Sequence, residues 1–271
     1  MFRRSDLGLV RIVPAAVALL VFAQTATLPA TQDPPLPSGR EILAKHVKAI
    51  GGEAPYKAVK SIRASGRFEM PAQQISGDFV MIAARPNKQR TKVSVGAIGE
   101  IESGYDGKVG WRTDPMQGPA VLTGKELSEA ADDAFFDGAL YGSDFISEAT
   151  TVGKQAFPPP PPPGGAPSSV ASRPAYKVKL VLKSGNERFE YFDAETGLQI
   201  GSESTRVTPQ GPIPVMTILS DYRKYGALML PASLTQKLMG IEQIVNVNTY
   251  EFDNVPADAF DLPPAIKALI K

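Results

Sequence analysis

The sequence has no cysteine, one histidine and one tryptophan, and its charges cancel to a net +1. Without cysteine no disulfide braces the fold, and no residue at a processing site can carry a lipid anchor. One histidine and no cysteine exclude the usual zinc sets, and no aspartate spacing fits a calcium loop. The balance of 29 basic against 28 acidic residues argues against nucleic acid or a broad anionic surface as principal partner. A Gly-x-Ser-x-Gly elbow is missing too. "GPAVLTGK" at 118–125 spaces its glycines one residue too far apart for a phosphate loop, with Glu126 where a magnesium-binding Ser or Thr belongs. Paired carboxylates depend on the fold and stay open, which leaves a hydrolase as a third reading. No catalytic residue, metal or cofactor is expected, and the chain reads as a binder.

What is present begins with an export signal. Arg3, Arg4 and Arg11 precede the apolar run "IVPAAVALLVFA" at 12–23, and small residues follow. This predicts a signal peptide over 1–23, cut after Ala23 or as late as Ala30. The run falls short of the ~20 apolar residues that span a bilayer, and Pro14 interrupts it, although a retained signal-anchor is the alternative. A soluble periplasmic or secreted protein follows, with one domain over 38–271.

That domain starts with a helix at about 39–50. Ser38 and Glu41 have capping-box spacing, Ile42, Leu43, His46, Val47 and Ile50 form a helical stripe, and Gly51–Gly52 stop it. His46 reads as a helix-surface or half-buried packing residue. Strands dominate afterwards: Ile62, Ala64, Gly66, Phe68 and Met70 alternate with polar residues, as do Tyr176, Val178, Leu180 and Leu182. Further runs near 77–84, 89–95, 98–105, 108–113, 187–193, 198–207, 215–225, 232–239 and 241–252 make a long antiparallel meander. Asp106-Gly107 reads as a type I′ corner with positive φ at both positions, flanked by Tyr105 and Trp111. Thr123 and Glu126 predict a second capped helix, on which Asp132, Asp133 and Asp137 form a solvated acidic face. A short last helix is gripped by Ile266, Leu269 and Ile270. The proline-rich stretch 157–169 lies between two strands, as a stiff solvated insertion or a ligand for a proline-binding partner.

Three motifs in order carry a family likeness: "GDFVMIAARPN" at 77–87, "SGYDGKVGWRTDP" at 103–115 and "DAFDLPP" at 258–264. The chain over about 40–271 resembles the periplasmic carriers of outer-membrane lipoproteins, the LolA/LolB-like family. The resemblance implies a mainly β fold with α (α+β). Its curved antiparallel sheet would form an incomplete barrel, or half-barrel, whose concave face is covered by helices. The implied cargo is lipoprotein acyl chains or membrane lipid, received from and passed to inner- or outer-membrane proteins without catalysis.

Phe68, Phe79, Met81, Tyr105, Trp111, Phe135, Phe136 and Leu180 are the candidate lipid-binding wall, or else ordinary core. Arg85 shares strand parity with Phe79, Met81 and Ala83, and Pro86 ends regular pairing after it. In the family the arginine of this Arg-Pro motif hydrogen-bonds lid carbonyls, which implies that Arg85 is a lid latch; a strand-end arginine facing water is the alternative. The same fold could also serve an envelope sensor or scaffold that binds proteins.

Overall fold

Alternating sequence of this length needs many strand partners, and the chain supplies them from itself. A computed structural model of the protein describes residues 35–160, 170–208 and 211–270, and the elements below belong to the unit Leu36–Lys271. The expected signal peptide, its cleavage site and residues 161–169 of the proline-rich stretch lie outside the described residues. The chain runs through α1 (Gly39–Ala49), α2 (Glu53–Ala58), β1 (Ser61–Met70), β2 (Ile75–Ala84), β3 (Lys88–Val95), β4 (Gly99–Tyr105), β5 (Gly110–Asp114), β6 (Gly118–Val121) and α3 (Gly124–Asp133). A 3₁₀ turn at Phe136–Leu140 leads to β7 (Ile146–Phe157), β8 (Arg173–Leu182), β9 (Glu187–Asp193), β10 (Gln199–Thr208), β11 (Gly211–Tyr225), β12 (Leu228–Leu238) and β13 (Ile241–Phe252). A 3₁₀ turn at Ala257–Phe260 and α4 (Pro264–Lys267) close it.

Among the described residues the thirteen strands form one open sheet, ordered β6-β5-β4-β3-β2-β1-β13-β12-β11-β10-β9-β8-β7. Every neighbouring pair is antiparallel. Two meanders thus meet where β1 pairs with β13, and the connection through α3 joins the two edge strands, β6 and β7.

Local chemistry explains the helices. At α1 the capping box forms: Glu41 N–H donates to Ser38 Oγ (3.3 Å), and Ser38 N–H donates to Glu41 Oε2 (2.8 Å). The box expected at Thr123 does not form. Thr123 makes no side-chain cap, Gly124 sits at φ +53°, and Glu126 turns instead to Arg112 (3.0 Å). At the 106–107 corner only Gly107 has positive φ (+104°); the Asp106 carboxylate accepts from Lys108 N–H (2.8 Å) and Val109 N–H (2.7 Å), an Asx turn rather than type I′. Of the last helix's expected grip, Ile266 is fully buried, while Leu269 and Ile270 are exposed.

Among the described residues, three clusters hold the unit together. Ile42 and Leu43 of α1 pack with Val178, Leu180, Leu182 and Phe192 of β8 and β9. Tyr56 of α2 joins Ile62, Phe136 and Leu228. Phe157, Ala175, Tyr191, Ile200 and Ile218 form the third, where Phe157 stacks on Tyr191 at 4.0 Å. Strand alternation puts this third cluster on the opposite sheet face from Phe192. Gly201 is required there, because a Cβ would lie 2.3 Å from the Phe157 ring.

Candidate functional site

The α3 helix bridges distant parts of the sheet. It touches β4 and β5 on one side and β10 on another, strands that lie far apart in the sheet order. Arg112–Glu126 (3.0 Å) ties it to β5, and Arg206–Asp133 (2.8 Å) ties it to β10. At the C-terminal end of α3 (Asp132, Asp133) and beneath the Phe136–Leu140 turn lies a cavity of about 350 Å³.

The cavity has two chemically different ends. Ile62, Met81 and Ala83 come from β1 and β2, where Ile62 pairs with Ala83 and Ala64 with Met81. With Phe135, Phe136 and Ala139 they make an apolar end. Ser202, Ser204, Thr217 and Gln236 from β10, β11 and β12 make the other end polar. A neighbouring cavity of about 250 Å³ shares Gln89, Asp133 and Arg206 with the first.

The expected wall residues divide among these places. Met81, Phe135 and Phe136 line the larger cavity, and Tyr105 borders the smaller one. Phe135 is stacked on Phe145 at 5.0 Å. Phe68 and Phe79 share the face of Ile62 and Met81 but touch neither of these two cavities. Leu180 is fully buried beneath α1. Trp111 also borders the smaller cavity, yet alternation turns its indole to the other face, against Gly104 and the Arg90 guanidinium at 5.6 Å.

Arg85 is anchored rather than solvated. Its Nε donates to the Val59 carbonyl (2.7 Å), Nη2 to the Tyr56 carbonyl (3.2 Å) and Nη1 to Asp137 Oδ2 (2.5 Å). Its guanidinium also lies 4.6 Å from the Phe136 ring centre. One side chain therefore joins the end of β2 to the end of α2 and to the 3₁₀ turn. Tyr56 O–H donates to the Phe136 carbonyl (3.0 Å); burial, then the Asp137 charge, pushes its pKa up to about 12.

The other charges are mostly paired. Tyr141 O–H donates to Glu190 Oε2 (2.5 Å), and Arg188 Nε lies 2.7 Å from Glu190 Oε1. Burial first, then Glu190, raises the Tyr141 pKa well above its ordinary value. Glu129 of α3 accepts from Val207 N–H (3.3 Å) while its buried Oε1 has no partner among the described residues, and burial raises its pKa. The aspartates read as a solvated face are engaged: Asp132 with Asn186 and Ser184, Asp133 with Arg206, Asp137 with Arg85. Their partners lie 52 or more residues away in sequence, and acidity alone gave no sign of them. His46 is buried, not at the helix surface; its Nδ1 accepts from Gln199 N–H (3.1 Å) and lies 3.3 Å from the Gly197 carbonyl.

The chain is a very large open antiparallel sheet, with its terminal strands paired in the middle and a helix linking its edges. Solved structures of similar fold include the following two. One is a DUF1329 family protein from Desulfovibrio piger (TM-score 0.52, 8% identity, covering 84% of this chain and 98% of that one). Another is a LolA superfamily protein from Nitrosomonas europaea (TM-score 0.51, 11% identity, 84% and 99% covered). No protein-family model and no curated protein matches the sequence. The chain has a LolA-like fold, as its three motifs imply.

Proposed function

We propose that the protein is a non-catalytic periplasmic carrier that holds an amphiphile, a lipoprotein's acyl chains or another lipid, in the cavity by the end of α3. The observation that carries this reading is the two-ended cavity, with its apolar end built by β1, β2 and the Phe136–Leu140 turn. Bending of the sheet supports it. The strands β4 and β10 are seven places apart in the sheet order, about 34 Å if flat, whereas a ten-residue helix is about 15 Å long. A single α3 touching both fits a sheet curved into a half-barrel with α1, α2 and α3 on its concave face. The likeness to a LolA superfamily protein agrees with this, and the amino-terminal export pattern agrees with a periplasmic address.

Arg85 would act as the latch. Its three hydrogen bonds favour the closed arrangement of α2, the 3₁₀ turn and β2, so closing expels cargo and opening admits it. Donor and acceptor proteins in the inner and outer membranes would complete the route.

Native mass spectrometry of the protein purified from its own envelope tests the reading. An acyl-lipid or lipoprotein mass carried at one per chain is expected. Only bare protein, with lipid still absent after incubation with envelope extract, would contradict it.

A further inference from the structure

The polar end of the cavity is patterned. Gln243, Gln236, Thr217, Ser202 and Glu190 are successive register partners across β13, β12, β11, β10 and β9, so they form one line on one face of the sheet. All but Gln243 line the cavity. Glu190 is already held by Tyr141 and Arg188. The side chains of Gln236, Thr217 and Ser202 have no hydrogen-bond partner among the described residues, nor do those of nearby Gln199 and Ser204. Covering such groups with hydrocarbon alone costs their desolvation with nothing in return.

We propose that this line binds an uncharged, polyhydroxylated group: a sugar, as the headgroup of a glycolipid or as a free oligosaccharide. Charge decides against an anionic headgroup. Arg188 lies 2.7 Å from Glu190 and Arg206 lies 2.8 Å from Asp133, and Asp132 joins these two carboxylates in the lining, so the cavity carries no excess positive charge for a phosphate. Hydrogen-bond type decides for hydroxyls. An amide or hydroxyl side chain both donates and accepts, as a sugar hydroxyl does, whereas a phosphate only accepts and an ammonium only donates. This inference rests on the carrier reading for the place of the acyl chain, and on the polar line for the headgroup.

Isothermal titration calorimetry tests it with three probes: dodecyl maltoside and dodecylphosphocholine, each below its micelle concentration, and maltose. The wild type is compared with the Gln236→Leu/Thr217→Val double variant and with the milder Ser202→Ala, each checked for an unchanged thermal unfolding midpoint. The maltoside should bind at least tenfold tighter than the phosphocholine, and the folded variants should lose that preference while keeping the phosphocholine affinity. Maltose binding as tightly as the maltoside supports the sugar site with a free saccharide as its source, and removes the acyl carrier. Equal affinity for both amphiphiles, unchanged in the variants, overturns the sugar site and leaves the carrier standing. Binding of none of the three overturns both.

Discussion

At Nδ1 of His46 the backbone N–H of Gln199 is received by a neutral ring, and burial holds the pKa at about 4 against an ordinary 6.5. The sign follows from linkage. Between those values the unfolded chain binds more protons than the folded one, so stability falls as pH drops through 6.5 and levels off below about 4. The whole gap is worth about 3 kcal/mol. Urea unfolding of His46→Gln should therefore show a smaller loss between pH 7 and pH 4 than the wild type; identical losses would contradict this. At Arg85, Leu removes three donors that join β2, α2 and the 3₁₀ turn; if the proposed latch holds, cargo release should slow roughly tenfold or more with uptake unimpaired. Stopped-flow release of a fluorescent fatty acid reads this, and unchanged release would remove the latch. Parity with Met81 and the following proline placed Arg85 at a strand end on the Met81 face, and its role as a latch came only from the resemblance. Its partner Asp137 was not legible, since only the folded chain brings residues 85 and 137 together.

Elements were legible where their stabilisation is local. The α1 cap lies within four consecutive residues, and it forms as read. By contrast, α2 is a six-residue helix directly after the glycines that end α1, too short to show a periodic stripe. At α3 a long-range ion pair outcompetes the local cap, as Glu126 turns to Arg112. The edge strands are the faintest: β6 is four residues long and includes Pro119, and β7, mostly exposed, gives no clean alternation. An element held by ion pairs with little buried apolar surface opens at low cost. Only Glu129 of α3 is buried, so its amides should exchange faster than those of β8 and β9. Raising salt from about 0.05 to about 0.5 M should speed α3 selectively by screening its ion pairs. Hydrogen exchange with uniform protection across α3 and the sheet would contradict this.

For the whole molecule, the sequence shows an antiparallel meander but not where its ends meet. Alternation tells which residues share a face; it does not tell that β1 lies beside β13, because that pairing joins residues 62 and 252. The same limit explains the site. Gln236, Thr217 and Ser202 look like scattered polar positions until register aligns them, and the Trp111 indole could be assigned to a face only once β4 and β5 were paired. Whether an acyl chain lies in the cavity by the end of α3 can be read directly from the protein's seven methionines. Methyl spectra of ¹³C-methionine-labelled protein, titrated with a spin-labelled stearate, report which of them the chain approaches. The Met81 methyl, on the cavity wall, should broaden at stoichiometric probe while the exposed Met116 keeps its linewidth. An unchanged Met81 signal at saturating probe, or equal broadening at Met116, would contradict the account.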